Sequence, residues 1–283
     1  MTESNKLARA TGLLVIEVRN SNPNGDPDRD SDPRQRSHDQ RGLISPVSFK
    51  RKLRDLVEDK EGPAWQEFGI APEQWERFDV LESRGRDPNV IGAEIKNGTF
   101  EGRYWDGRVF GNTFLEKDGE DSIRSGVAQF ALGVSVAPVR VERMTLTNKA
   151  GVQPGKDRGM APLGFRVVEH GVYCMPFYVN PTAATKSGCT VEDIELLLRL
   201  IPIAYPHTAS AARPSVEIRH AWYVEHRSVL GSCPDFAILD ALSPTKRTDV
   251  DQPSTSWSDY DVPTDLGELG GRVRSIRDLM VDE

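Results

Sequence analysis

The chain has 283 residues, of which 37% are hydrophobic and 28% are charged, and its formal net charge is −7. No apolar run approaches the roughly 20 residues that a membrane helix needs, and no secretory apolar core follows the N-terminal residues. Three separated cysteines without a C-x-x-C spacing argue against a disulfide framework and a zinc knuckle. We therefore expect a cytoplasmic protein with no membrane partner, no bound metal and no cofactor.

The charge is distributed unevenly along the chain. Residues 249–283 carry nine acidic and three basic residues. Residues 34–60 carry eight basic and four acidic residues, and residues 140–166 carry six basic and two acidic ones. A phosphate backbone responds to the local field and not to the net charge of the whole protein. The two basic zones therefore indicate nucleic-acid contact in an acidic chain.

The first third of the chain predicts a strand, a turn and a helix. Residues 13–19 are apolar and β-branched, which is typical of a strand. The Asn-, Gly- and Pro-rich run 20–27 then predicts an abrupt turn. Ser45 supplies an N-cap and Pro46 the first helical position of a helix that ends near residue 62.

This predicted helix carries a basic cluster beside an apolar stripe. The stripe consists of Val47, Leu53, Leu56 and Val57. The cluster consists of Lys50, Arg51 and Arg54, whereas Lys52 points away from it. A solvated helix face is the ordinary interpretation of such a charge run. A helix start beside a glycine-containing loop can also hold a polyanion, so we predict phosphate contact here.

The middle of the chain predicts an insertion followed by a hairpin. Residues 64–88 carry aromatic residues at near-helical spacing, which indicates a small helical insertion. Residues 139–147 alternate as a strand does, and residues 148–159 are rich in glycine, lysine and proline, which predicts an exposed hairpin tip. Residues 165–179 predict the returning strand, interrupted at Gly171.

The last elements complete a recognisable order. Residues 190–193 resemble a capping box that opens a helix over residues 194–200, and residues 216–225 predict a final strong strand. The order strand, helix, strand, strand, helix, strand is that of an α+β, ferredoxin-like or RNA-recognition-motif domain. We assign residues 1–247 to this single domain and residues 248–283 to an acidic C-terminal tail.

Several motifs then occur in a fixed order between residues 12 and 242. They are N-P-N-G-D-P at 22–27, S-F-K-R-K-L-R-D at 48–55, R-V-F-G at 108–111, I-R-S-G-V-A-Q-F at 123–130, R-M-T-L-T-N at 143–148, H-G-V-Y at 170–173 and S-A-A-R at 210–213. This ordered set resembles the Cas-seven family, the backbone subunits of type I CRISPR Cascade complexes, most closely the I-C and I-B branch. The loop 28–40 is more charged than the family pattern, and the residues beyond 246 match no part of it.

The resemblance implies a fold and a function. The fold is a ferredoxin-like (RNA-recognition-motif) palm, with a helical finger insertion at about residues 62–105 and a long β-hairpin thumb at about residues 147–164. The function is non-catalytic: copies line up head to tail along the guide RNA (crRNA), and each thumb displaces a base. The implied partners are crRNA, target DNA through guide pairing, further copies of the chain and other Cascade subunits.

Carried onto this sequence, the resemblance and the basic zones together imply a set of RNA-binding residues and no catalytic ones. The set is Asn22, Asn24, Gly25, Lys50, Arg51, Arg54, Arg124, Gln129, Arg143, Met144, Lys149, Lys156, Arg158, His170 and Arg213. Three members have structural alternatives: Arg124 as a buried arginine, Met144 as a core residue and His170 as a structural histidine. If Met144 is not in the core, it is the wedge against the displaced base. Arg213 closes the RNA groove or caps a helix. Asn22 and Asn24 suit a tight turn, with or without RNA contact.

The loop aspartates leave a different function open. Asp26, Asp28, Asp30 and Asp32 alternate, but Ser31 and Ser37 stand where a calcium-binding EF-hand loop needs glycine and glutamate. In type III relatives, a loop aspartate of this region helps cleave target RNA. The alternative is therefore a metal-dependent target-RNA endonuclease that uses one of these aspartates with Mg²⁺. Common nucleotide-binding and hydrolase motifs are absent from the sequence, which favours the non-catalytic function.

Overall fold

The computed structural model of this protein describes residues 6–83, 85–112, 124–148 and 161–281. Within these ranges no helix combines the length and the apolar content needed to cross a membrane. In chain order, the described strands are β1 (Ala10–Ser21), β2 (Gly25–Asp26), β3 (Asp32–Pro33), β4 (Arg41–Ile44), β5 (Gly111–Asn112), β6 (Arg124–Ser125), β7 (Ala128–Phe130), β8 (Gly133–Pro138), β9 (Val141–Asn148), β10 (Ala161–Val179), β11 (Val216–His226), β12 (Thr245–Lys246), β13 (Tyr260–Asp261) and β14 (Val273–Asp278).

The helices are interspersed with these strands and concentrated between β4 and β5. In chain order, the described α-helices are α1 (Pro46–Glu58), α2 (Pro63–Phe68), α3 (Pro88–Asn97), α4 (Phe100–Arg103), α5 (Trp105–Phe110), α6 (Ala184–Ser187), α7 (Val191–Leu200) and α8 (Asp235–Leu242). Short 3₁₀ helices occupy Pro27–Arg29, Pro72–Phe78, Pro181–Ala183, Pro206–Thr208, Trp257–Asp259 and Gly267–Arg272.

An antiparallel sheet organises the molecule. Its strands follow the order β14-β11-β1-β10-β8-β4, and each neighbouring pair in this order is antiparallel. The strands β7 and β9 also pair with β10. β1 is central: Leu14 lies opposite Met175 on β10 and opposite Ala221 on β11. The fold is thus a mixture of helices and an antiparallel sheet, as expected.

Both faces of the sheet are covered. Successive side chains of a strand point to opposite faces, so Leu14 and Leu13 belong to different cores. Leu14 packs in a cluster with residues of α1 and α7, such as Phe49 and Leu197. Leu13 packs in a second cluster with residues of α8 and of the C-terminal segment, such as Leu266. This double covering explains why β1 is buried continuously from Ala10 to Val18 and shows no apolar alternation.

Local signals predicted two helix starts correctly. Ser45 caps α1 by accepting a hydrogen bond from the backbone N–H of Ser48, and Pro46 occupies the first helical position. The capping box of α7 is present: the Thr190 side chain accepts from the backbone N–H of Asp193, and the Asp193 carboxylate accepts from that of Thr190. The partners in these signals are three residues apart, so the sequence alone reveals them.

Two predicted details are wrong. Val47 is 73% exposed, and Phe49 occupies the core side of α1 in its place. β10 runs through Gly171 without interruption. A Cβ on Gly171 would lie 2.9 Å from Cγ1 of Val139, so the glycine permits a close approach of chains and does not break the strand.

The C-terminal segment is part of the fold and not a separate tail. β14 pairs with β11 along one edge of the sheet, with Val224 opposite Ile276. Tyr260, Leu266 and Val273 are buried in the second core. The acidic composition of this segment had indicated a tail; its acidic side chains are interspersed with apolar ones that pack on β1 and β11.

The helical segment between α2 and α5 is anchored to the two helices on the first face. On α1, Arg54 Nε lies 2.7 Å from Oδ2 of Asp106, which belongs to α5. On α7, Asp193 receives two hydrogen bonds from Arg108, of 2.7 and 2.9 Å. Both ion pairs are almost completely buried. The predicted helical insertion is therefore docked on the first face of the sheet.

Candidate nucleic-acid interface

The asparagine-rich loop after β1 is fixed by its own polar side chains. Asn24 Oδ1 accepts a 2.7 Å hydrogen bond from the backbone N–H of Ser45, the N-cap of α1. Asn22 Nδ2 donates to the backbone carbonyl of Ser31 at 2.7 Å. Gly25 lies so close to Ser31 that an added Cβ would be 2.9 Å from its carbonyl oxygen. The predicted turn role of these residues is therefore present, and it couples the loop to the start of α1.

The predicted basic cluster on α1 is divided by the structure. Arg51 pairs with Asp55 and Glu58 on its own helix. Arg54 pairs with the buried Asp106 and lies over the ring of Phe110. These carboxylates neutralise the charge of Arg51 at the surface and that of Arg54 in the interior. Direct contact of Arg51 and Arg54 with RNA remains a prediction, and both would first have to leave these partners.

Lys50 differs from these two arginines. Its ammonium lies 5.0 Å from the centroid of the Phe110 ring and forms no ion pair with a carboxylate in the described part of the chain. Burial and the neighbouring Arg54 lower the pKa of Lys50 to about 8. Lys50 is still mostly protonated at neutral pH, and its charge is the one that this cluster leaves uncompensated.

The segment before β11 closes the loop from the other side. Asn22 N–H donates to the carbonyl of Ala212 at 2.8 Å, and Arg213 Nε donates to the carbonyl of Asn22 at 3.0 Å. Arg213 is the last residue of a turn in which its backbone N–H donates to the Ser210 carbonyl. It therefore does not cap a helix. Arg213 is half-buried at the edge of the loop. The predicted N-P-N-G-D-P and S-A-A-R motifs are thus brought into direct contact.

The base of the β9–β10 hairpin lies next to the same loop. Arg166 on β10 pairs with Asp32 at 2.7 Å. On β9, Arg143 is exposed and Met144 is 42% exposed, which excludes core packing of Met144. Lys149, Lys156 and Arg158 lie outside the described residues, as does the side chain of Arg124 on β6.

The family model for CRISPR-associated protein Cas7 matches residues 8–265 of this chain. The chain belongs to the Cas7 family. This is the Cas-seven family that the ordered motifs resemble, and the match extends from the start of β1 through the loop, α1 and β11 into the C-terminal segment. The resemblance found in the sequence is therefore confirmed; the I-C and I-B branch stays a prediction.

Solved structures with a similar fold come from CRISPR complexes. A chain of a CRISPR RNA-guided surveillance complex in a pre-nicking state is 14% identical, with a TM-score of 0.49, over 76% of this chain and 78% of that chain. A second such surveillance complex gives 16% identity and 0.47 over 76% and 68%. The Type III-B Cmr-beta complex bound to cognate target RNA gives 13% and 0.43 over 77% and 61%. No curated protein sequence matches the chain. The family assignment therefore depends on the match over residues 8–265.

Of the residues predicted to bind RNA in this Cas7 chain, His170 is buried near the loop and Gln129 lies at the other end of β1. His170 is 4% exposed, with Nδ1 2.8 Å from Oγ of Ser254 and Nε2 3.2 Å from Oε1 of Glu17. Burial lowers the pKa of His170, although the Glu17 carboxylate opposes this. The structure corrects the prediction because the C-terminal segment covers this histidine, which the sequence gave no reason to expect.

Gln129 is the second of these residues. It lies on β7 opposite Tyr178, which itself lies opposite Thr11 at the beginning of β1. The asparagine loop follows Ser21 at the other end of β1, about 30 Å away at roughly 3.3 Å per residue. Gln129 is therefore exposed at the opposite end of β1 from the asparagine loop.

The geometry also adds residues that the motifs did not select. Lys52 is 3% exposed, and Tyr205 contacts it from the segment after α7. The helical position of Lys52 suggested that it points away from the basic cluster, and it does so. It points instead toward the segment that carries Arg213, a contact across more than 150 residues of sequence that no local signal could reveal.

Proposed function

We propose that this protein is a non-catalytic subunit that binds guide RNA and polymerises along it as the backbone of a type I CRISPR Cascade complex. The single observation that supports this most strongly is that Arg213 and the start of the basic helix α1 both contact the asparagine loop in a Cas7-family chain. Cations at such a site hold phosphates without reading bases. Guide pairing with target DNA then supplies the sequence specificity.

We infer a ferredoxin-like palm from the strand order. The strands β11, β1, β10 and β8 are neighbours in that order in the sheet. In the chain, α1 follows β1, the first of these four strands, and α7 precedes β11, the last of them. That is the antiparallel order fourth, first, third, second of the ferredoxin-like domain. The long strands β9 and β10 correspond to the thumb, and the segment from α2 to α5 corresponds to the fingers.

The covered sheet restricts where RNA can bind. RNA-recognition motifs stack bases on the face of the sheet that lacks helices. In this chain, α8 and residues around Tyr260 and Leu266 occupy that face. RNA binding at the end of β1, between the asparagine loop, α1 and the β9–β10 hairpin, is consistent with this closure. The exposed Met144 on the hairpin suits the wedge that displaces a base.

Head-to-tail assembly fits the two unlike ends of the sheet. Met144 is exposed near the RNA end. At the opposite end, Leu230 is 82% exposed and Phe236 is 74% exposed. Arg9 fixes this end by donating to the Leu230 carbonyl and pairing with Asp235. A heterologous contact between copies requires two different surfaces of this kind, and exposed apolar residues often mark such contacts.

A second function keeps one specific observation in its favour. Asp28 is exposed in the loop and has no ion pair with a described residue, whereas Asp26 pairs with Arg34 and Asp32 with Arg166. An unpaired loop carboxylate is what Mg²⁺-dependent cleavage of target RNA would use. This alternative predicts cleavage of RNA complementary to the guide that is lost in Asp28→Ala.

The decisive experiment is co-purification from cells that make the matching guide RNA and the other Cascade subunits, with the particle mass and RNA length measured. We expect several copies of the chain on one intact guide. Lys50→Met should reduce the copy number or the yield, whereas Lys186→Met, an exposed lysine on α6 near the opposite end, should not. An RNA-free protein under these conditions would contradict the proposal, and cleavage of target RNA would favour the alternative.

A further inference from the structure

Beneath the candidate interface, Lys52 lies beside Tyr205 and bonds to the segment that also carries Arg213. Lys52 Nζ donates to the hydroxyl of Thr208 at 2.9 Å and lies 4.9 Å from the centroid of the Tyr205 ring. Lys52 is 3% exposed, and no carboxylate of the described chain forms an ion pair with it. A buried ammonium without a counter-ion is costly, because the neutral hydroxyl and the ring replace only part of its hydration.

Arg213 adds a second positive charge to the same place. Its Nε is held by the carbonyl of Asn22 at 3.0 Å, and its two terminal nitrogens have no partner among the residues that the structure describes. Burial and the charge of Arg213 lower the pKa of Lys52 to about 8, and only Asp55 opposes this shift. Thr208, the partner of Lys52, lies five residues before Arg213 in the same segment, and among the described residues the terminal nitrogens of Arg213 have no partner at the edge of the loop.

Tyr205 supplies an independent sign that a ligand is missing. It is 2% exposed, and its hydroxyl has no hydrogen-bond partner within the described chain. Burial raises the pKa of Tyr205, and the charge of Arg213 opposes this rise, so the two groups interact electrostatically. Buried hydroxyls without partners are rare in folded proteins, and this one lies beside two uncompensated cations.

We propose that Lys52, Tyr205 and Arg213 form a seat for one backbone phosphate of bound RNA. Arg213 is the half-buried group that RNA reaches, since its free terminal nitrogens match the two oxygens of a phosphate. Lys52 acts from the layer below, where its charge is weakly screened by salt. The seat rests on the proposed RNA-binding function and adds Lys52 and Tyr205 to it.

The seat makes the free protein less stable than it could be, and this gives a sharp test. Lys52→Met keeps the length of the side chain and removes the buried charge. We expect an unchanged or higher Tm without RNA, since Thr208 still donates its hydroxyl to the Ala204 carbonyl. We also expect about tenfold weaker binding of single-stranded guide RNA by the full chain. A lysine with only a structural role would show the reverse: a lower Tm and unchanged RNA affinity.

The salt dependence and a double variant identify the ligand as one shared phosphate. Loss of one phosphate contact on a single strand should reduce the slope of log K against log salt by about 0.7. Arg213→Gln should give a similar loss, and the double variant should lose little more than either single one. Losses that multiply in the double variant would contradict a shared phosphate.

Controls separate failure of the seat from failure of the proposed function. Lys186→Met should bind RNA as the unchanged protein does. If Lys50→Met weakens RNA binding while Lys52→Met and Arg213→Gln do not, the seat is wrong and the proposed function stands. The seat is also wrong if those two variants bind RNA normally but fail to assemble with protein partners, because the anion would then be a partner's carboxylate. If the unchanged chain binds no guide RNA, the proposed function itself fails.

Discussion

At the scale of single residues, the number of cations in a segment does not determine how much uncompensated positive charge is available to bind RNA. Lys50, Arg51 and Arg54 look alike in the sequence, yet both arginines have carboxylate partners and the lysine has none in the described chain. Asp106, which neutralises Arg54, is 52 residues away. A sequence pattern with a period of a few residues contains no information on such a partner, so only the structure could divide this cluster.

The first prediction concerns the pH dependence of Lys50. Because its pKa is lowered to about 8, Lys50 loses its proton and its charge as the pH rises through 8. RNA affinity should therefore be highest below pH 7 and should fall by about tenfold toward pH 9, if a charge-assisted contact contributes roughly 1.5–3 kcal/mol. Fluorescence anisotropy with labelled guide RNA at constant ionic strength measures this fall.

An arginine at this position provides the matched control. Lys50→Arg keeps its charge at pH 9, since the guanidinium does not lose its proton in proteins. This variant should lose less affinity between pH 7 and pH 9 than the unchanged protein, and any contribution of Lys52 is common to both. Identical pH profiles for the two proteins would show that Lys50 does not contact phosphate.

At the scale of elements, α1 joins the asparagine loop to the helical segment from α2 to α5. The backbone N–H of Ser45, the N-cap of α1, donates to the Asn24 side chain, and Arg54 on the same helix pairs with Asp106. The Asp106 carboxylate also accepts hydrogen bonds from the backbone N–H groups of Leu81 and Glu82. One buried carboxylate therefore fixes α5 and the segment at Leu81 relative to α1, and hence relative to the loop.

The second prediction follows from this arrangement. Asp106→Asn removes the negative charge and leaves Arg54 buried without a counter-ion, which should destabilise the protein by about 3 kcal/mol. Asp55→Asn, which breaks the exposed pair with Arg51, should cost about 0.5 kcal/mol. Urea unfolding followed by tryptophan fluorescence compares the two variants. Equal losses would mean that the Arg54–Asp106 pair is no more important than a surface ion pair.

How well each element could be predicted depends on how local its cause is. The starts of α1 and α7 follow from Ser45, Thr190 and Asp193, whose partners are three residues away, and both were predicted. The continuity of β10 depends on Val139 approaching Gly171. The exposure of Val47 depends on which side of α1 meets the sheet. Neither contact is encoded in a short window of sequence, so both details were missed.

At the scale of the whole molecule, the C-terminal segment decides which surface is open to RNA. It contributes β14 to one edge of the sheet and covers the face that carries Leu13 and Val15. The partner strand β11 begins 57 residues before β14 in the chain, and the apolar residues of the segment are sparse among its acidic ones. Long-range pairing of this kind is what composition cannot predict.

The third prediction tests that covering role. Leu266 is 4% exposed in the second core, so Leu266→Ala should destabilise the protein by about 2–4 kcal/mol. Val250→Ala, in the same segment but 50% exposed, should change stability by less than about 0.5 kcal/mol. Removing residues 249–283 should expose the face around Leu13 and Trp222 and give strong binding of a hydrophobic dye. If the truncated chain kept its Tm and bound RNA more tightly, the segment would be a shield for the RNA site and not part of the core.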